Sequence, residues 1–218
     1  MDYKKIYTEH YFSGRDSFFY SLGYGRFQNY YFGNLYKSLK PYLRHIKNGN
    51  ILDVGCAYGF MLERFPKRFK KYGLDISKHA ISEAKKRNPD AKFKIGGAED
   101  PFPYPKNSFD IVLSNDLIEH VEHPQKVLKN IMTVLKPGGI LYINTPNLNW
   151  IRRTFVAFAD RKEHHISLFH HDELYELLKK QGFKVIKRWT YVNALYFGAI
   201  KLHKRIAIES AFVCRKKA

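Results

Sequence analysis

Apolar and polar positions fall into alternating blocks along this chain. Leu35, Leu39, Tyr42, Leu43 and Ile46 recur at helical spacing up to the stop Asn48-Gly49, with Pro41 placed to bend or restart the helix. Ile51-Leu52-Asp53-Val54 reads as a short buried strand, Gly55-Cys56-Ala57-Tyr58-Gly59 as a tight turn, and Phe60 to Phe65 as a helix ended by Pro66. Tyr72–Asp75 is a second strand, Ser77 caps a helix to about Arg87, and Ala91–Ile95 is a third strand. Ser108 to Asn115 is a continuous apolar run with polar ends, the pattern of a central parallel strand buried on both faces. Pro124 opens a helix with Val127, Leu128, Ile131, Val134 and Leu135 on one face. Leu135-Lys136-Pro137-Gly138-Gly139 then turns into a strand over Ile140–Asn144. An amphipathic helix before Gly182-Phe183 precedes two antiparallel edge strands, Lys184–Trp189 and Ser210–Arg215, joined by an amphipathic connection.

The 218 residues suffice for one α/β domain with a full core and are short for two. Apolar residues make up 44% and aromatics 16%, which argues against a disordered chain. No apolar run reaches membrane-spanning length, and no secretory apolar region follows Met1-Asp2-Tyr3-Lys4-Lys5. Two cysteines, Cys56 and Cys214, are too few for a disulfide scaffold and fit a cytoplasmic protein, with Cys56 packing beneath the turn.

The first strand, turn and helix carry chemistry. Little side-chain bulk at the turn lets backbone N–H groups approach a polar ligand. Asp75, 22 residues after Asp53, stands at the end of the second strand, where one carboxylate can accept both hydroxyls of a ribose. A dinucleotide fingerprint is absent, because Ala57 and Phe60 occupy the second and third glycine positions counted from Gly55. The stretch resembles motif I of the class I S-adenosylmethionine-dependent methyltransferases, whose usual form is acid-x-Gly-x-Gly-x-Gly. Asp53, Gly55 and Gly59 match, and Ala57 departs by one methyl group, a mild change provided its backbone needs no positive φ. Asn115-Asp116-Leu117-Ile118-Glu119-His120-Val121 resembles the family's fourth motif, and Leu135-Lys136-Pro137-Gly138-Gly139 one of its most recognisable turns. The resemblance covers residues 50–145 firmly. More weakly, 165–183 resembles the subgroup acting on small molecules, quinone precursors and sugars.

The resemblance implies an α/β, Rossmann-like class I methyltransferase fold, a mostly parallel seven-stranded sheet with helices on both faces and an antiparallel edge strand. It implies an N-terminal helical, aromatic lid segment over residues 1–48 and a methyltransferase domain over 49–218, in one globular domain. The cofactor implied is S-adenosylmethionine, leaving S-adenosylhomocysteine as product. Gly55, Ala57 and Gly59 would shape the turn, and Asp53 would orient the amino-acid end through water. Asp75 would take the ribose, with Ile76 covering the adenine face, Ala98 and Glu99 at its edge, and the Asn115 carbonyl receiving the cofactor amine. The family commonly has Gly-Asp-Ala-Glu where this chain has Gly96-Gly97-Ala98-Glu99, so the carboxylate that would receive the adenine amine is missing at Gly97.

Methyl transfer from a sulfonium is an in-line displacement helped chiefly by positioning, and a hydroxyl acceptor also needs a general base. His120, His123, His164, His165, His170 and His171 are the nearby histidines. His165 is the first choice for the base; His120 is either a base or a brace between loops. Their spacings match no standard zinc pattern, so no metal is expected. The acceptor class expected is a small molecule, methylated on oxygen or nitrogen and drawn from glycan or lipid precursors. Net charge complicates this: 38 Lys+Arg against 20 Asp+Glu give +18. Residues 61–94 carry 11 basic and 4 acidic side chains and 184–218 carry 9 and 1, whereas 95–123 carry six acids and only Lys106. The charge leaves open nucleic acid, as an RNA-directed methyltransferase or RNA-binding protein, or peripheral contact with an anionic surface. A third alternative is a cofactor-binding scaffold without catalysis, suggested by Ala57 and Gly97.

Overall fold

A computed structural model of the chain describes residues 6–12, 15, 24–193 and 199–217. A short helix α1 (Glu9–Phe12) and a long one, α2 (Tyr24–Leu39), precede the sheet, and Pro41 starts a 3-10 turn, Lys40–Leu43, directly after α2. The strands are β1 (Gly49–Val54), β2 (Phe69–Asp75), β3 (Lys92–Ile95), β4 (Phe109–Asn115), β5 (Leu135–Pro146), β6 (Phe183–Asn193), β7 (Ala199–Lys201) and β8 (Glu209–Lys216). Between them lie α3 (Phe60–Glu63), α4 (Lys78–Arg87), α5 (Pro124–Val134), α6 (Ala157–Lys162) and α7 (His171–Lys180).

One eight-stranded sheet runs β3-β2-β1-β4-β5-β8-β6-β7. The first five are parallel neighbours, and β8 lies antiparallel between β5 and β6. Two details depart from the expected layout. The strand count rises to eight because Ala199–Lys201 pairs antiparallel with β6, and β8 is inserted in the sheet rather than left at its edge. The expected connection between the last strands falls partly on 194–198, and the expected lid segment partly on 1–5, 13–14 and 16–23, outside the described residues.

Period-2 alternation divides the core. Leu52, Val54, Val112, Leu141, Ile143 and Phe212 face one side, packed on Val127, Leu128 and Ile131 of α5 and Leu174 and Leu178 of α7. Ile51, Ile111, Leu113, Ile140 and Tyr142 face the other, against Leu35 and Leu39 of α2 and Met61 and Leu62 of α3. The helix before Gly49 thus shares a core with the sheet. With the sheet covered on both faces, polar groups collect at the C-terminal ends of the parallel strands, where open α/β sheets bind ligands.

Candidate active site

A cavity of about 680 Å³ opens at those strand ends. This is the size range of small-molecule and cofactor sites, ~300–1,000 Å³. Asp53, Gly55, Ala57, Asp75 and Ile76 line it, with Ala98, Glu99 and Asn115, and so do His120 and His165. Every expected site residue is therefore at the cavity except Gly59, which shapes the turn from behind. Gly59 is the cap of α3 at φ +74°, and the side-chain amide of Asn88 donates to its carbonyl at 3.0 Å.

The turn is fixed by β2 and Asp75. Gly55 N–H donates to the Leu74 carbonyl at 2.8 Å, and Ala57 N–H donates to Asp75 Oδ2 at 2.8 Å. Asp75 Oδ1 accepts Ser77 N–H, also at 2.8 Å, while Ser77 Oγ caps α4 through Ala80 N–H. A carboxylate with one backbone donor on each oxygen is held rigidly and keeps lone pairs facing the cavity. Burial raises the Asp75 carboxyl above its ordinary range, against the lowering effect of these N–H groups.

Ala57 corrects a condition set by the sequence. Its φ is +42°, so the methyl group stands in left-handed backbone, where a Cβ costs roughly 1–2 kcal/mol. Ala57→Gly is expected to stabilise the protein by about 1 kcal/mol, read as a higher midpoint in denaturant unfolding; an unchanged or lower midpoint would mean the turn stores no strain. Cys56 lies under this turn as expected, its Sγ 2.8 Å from where a Cβ on Gly73 would stand. Burial and the charges of Asp75 and Asp53 push its thiol up, away from nucleophilic use.

Asp53 is buried, and that burial with the Asp75 charge raises its carboxyl to about 8. Below that value it holds a proton, and a cationic ligand favours the ionised form. Binding of a sulfonium at pH 7 is thus expected to expel a proton from Asp53. Calorimetry in buffers of different ionisation enthalpy should show this release in the wild type and lose it in Asp53→Asn; equal release in both would place the proton elsewhere.

The loop expected to meet adenine shows a different arrangement. Glu99 is turned toward the next loop, its Oε1 accepting Glu122 N–H at 2.8 Å and His123 N–H at 3.2 Å. The Asp100 carboxylate fills the space beside Gly97 instead, with Oδ2 2.7 Å from where a Cβ on Gly97 would stand. Asp100 also lines the cavity, and its carbonyl and that of Ala98 are braced by the side chain of Asn130. The Asn115 side chain is buried, with no hydrogen bond to either polar atom among the described residues.

Around the two histidines lies a buried polar network. His165 Nδ1 lies 2.7 Å from Asp160 Oδ1, and Arg152 grips the same carboxylate through Nε and Nη2. Burial would raise the Asp160 carboxyl, but the hydrogen bonds from His165 and Arg152 outweigh it and hold it below the usual range. An ionised Asp160 makes Nδ1 the donor, so Nε2 is the ring nitrogen left for chemistry. The His120 ring stands edge-on to His165 at 4.7 Å between centroids. Burial and the neighbouring His165 keep it well below the ordinary histidine range, hence neutral. Glu119, just before His120, ties its loop to two neighbours: its carbonyl accepts Ile166 and Ser167 N–H groups, and Thr145 Oγ1 donates to Glu119 Oε2 at 2.9 Å.

Glu119, His120 and His165 each bring one ligand atom within 4.8 Å of the others, a grouping that linear spacing does not reveal. Tyr31, Arg152, Asp160 and Glu209 carry no sign in the sequence. Tyr31 donates to Asp116 Oδ2 at 2.6 Å across 85 residues, and burial carries Asp116 to about 6 and Glu209 to about 8. Asp116 alone had a signal, being next to Asn115 at a strand end.

Comparison with known proteins agrees with this geometry. A family model described as a methyltransferase domain matches residues 24–188. An uncharacterized protein of Methanocaldococcus jannaschii is 35% identical over 162 residues, 70% of this chain and 74% of that one. A ubiquinone biosynthesis O-methyltransferase of Coxiella burnetii is 34% identical over 109 residues, 48% of this chain; the match spans only 47% of the enzyme. Among solved structures, a Thermotoga maritima protein described as a possible histamine N-methyltransferase superposes with a TM-score of 0.71 at 22% identity. That superposition covers 91% of this chain and 97% of the other, and shows the shared fold. With the family model spanning most of the chain, and the glycine turn, Asp75 and the Glu-His pair meeting around one cavity, the chain belongs to the methyltransferase-domain family and is an S-adenosylmethionine-dependent methyltransferase.

Proposed function

We propose that the protein transfers the methyl group of S-adenosylmethionine to an oxygen or nitrogen of a small molecule, a glycan or lipid precursor among the candidates, with His165 as general base. The observation that carries this reading is His165 on the cavity wall, its Nδ1 2.7 Å from the buried Asp160 carboxylate behind it, in the same cavity as the turn that would hold the cofactor. An imidazole held this way takes the acceptor's proton through Nε2 as the methyl carbon moves from sulfur to the nucleophile. The name carried by the Coxiella burnetii relatives favours a hydroxyl acceptor. We place the protein in the cytoplasm, in keeping with its two buried free thiols. A panel of phenols, sugars and amines offered with methyl-labelled cofactor tests the reading. Labelled product with one small-molecule class supports it; label on RNA alone, or tight cofactor binding without turnover, contradicts it.

At the adenine end the reading assigns Asp100 the contact that Gly97 lacks. Asp100→Ala is expected to weaken S-adenosylhomocysteine binding about tenfold, the worth of one charge-assisted hydrogen bond, and to erase discrimination against the inosine analogue. Adding Gly97→Asp should restore both. Unchanged discrimination in the single variant would leave the amine to the backbone near Ala98.

A further inference from the structure

We propose that the segment between β5 and α7 docks on an anionic lipid bilayer through Trp150, Phe155 and Phe158. Independently of the acceptor's identity, these three are the most exposed large apolar side chains among the described residues, at 60%, 74% and 65%. They lie within nine positions on one helical stretch, Arg152–Val156 continuing into α6. Its inner side is spoken for: Arg152, Ala159, Asp160 and Glu163 are buried, and Arg152 and Glu163 line the cavity. The outer side therefore cannot turn inward to hide its aromatics.

Charge identifies the occupant. Arg153, Arg161 and Lys162 are exposed on the same stretch. The adjoining 203–207 turn, tied on by Asn147 and Asn149 side chains, adds exposed Ile206 and Arg205. Rings flanked by guanidinium and ammonium groups suit the boundary between acyl chains and acidic headgroups, the rings entering while the long basic stems reach the phosphates. A protein partner would need a complementary acidic, apolar groove; a bilayer supplies both features at once. The contact is peripheral, since no helix among the described residues is long and apolar enough to cross a membrane. Docking there would set the cavity wall against the lipid surface.

The chain itself carries the probe. It has two tryptophans, and Trp189 is buried, so a change in emission on binding reports Trp150. With phosphatidylcholine vesicles containing phosphatidylglycerol, the wild type should cosediment, shift its emission to the blue, and be quenched by brominated acyl chains. Phe155→Ser with Phe158→Ser should weaken partitioning at least about tenfold. Replacing Arg153, Arg161 and Lys162 by serine should weaken it about a hundredfold, at ~1 kcal/mol per charge. S-adenosylhomocysteine affinity should be unchanged in both variants, a control for folding and for the cofactor site. Absent cosedimentation, cosedimentation without quenching in the wild type, or a blue shift given by RNA and not by vesicles would each overturn the proposal. Quenching in the unaltered protein decides the matter even where a variant fails to fold.

Discussion

Asp75→Ala is expected to weaken binding of both S-adenosylmethionine and S-adenosylhomocysteine by about two to three orders of magnitude. A hydrogen bond to a charged group contributes roughly 1.5–3 kcal/mol, and a ribose offers two hydroxyls to one carboxylate; every 1.4 kcal/mol is tenfold. The loss reaches further than the sugar. Asp75 Oδ2 holds Ala57 N–H, and that bond secures a non-glycine residue at φ +42°. Without it the turn is free to relax, and the methionine end of the site goes with it. Titration calorimetry reads the effect directly. Because both the cofactor and its product carry the ribose, the two affinities should fall together. A change within about threefold for either would mean that the second-strand carboxylate does not hold the sugar.

His165→Ala should lower kcat by about 10²- to 10⁴-fold while the KM for S-adenosylmethionine stays nearly constant, as expected for a lost general base. Asp160→Asn should approach the same loss with the imidazole still present. The neutral amide no longer holds the proton on Nδ1, and Arg152, which now grips the Asp160 carboxylate, is left with a buried charge poorly matched. Added imidazole should partly rescue His165→Ala and leave Asp160→Asn unaffected. If His165→Ala keeps kcat, and His120→Ala removes it, the roles of the two rings are exchanged.

The turn and carboxylate expected to hold the cofactor were legible in the sequence because their pattern is local. A strand, a glycine turn and an acid at the next strand end are each written in a few consecutive residues, and parallel pairing of β1 with β2 brings them together. Ala57 was the exception: its departure from glycine was visible, but the positive φ that gives it a cost was not. Gly97 showed a missing carboxylate; only the folded loop shows Asp100 beside the gap. The acceptor half was opaque for a different reason. Tyr31 with Asp116, and Arg152 with Glu209, meet through side chains from separate elements, at sequence distances that carry no periodic signal. Likewise, the acids that reach 95–123 and the basic ends were countable, while the exposed aromatics of 150–158 became distinct only once their neighbours were seen to be buried.

A crystal structure of the protein with S-adenosylhomocysteine is the most direct test. Both ribose hydroxyls should lie within hydrogen-bond distance of Asp75, the adenine against Ile76, and the sulfur facing His165 across the cavity. A nucleoside bound with its sugar away from Asp75, or a cavity left empty at saturating ligand, would contradict the assignment of this site.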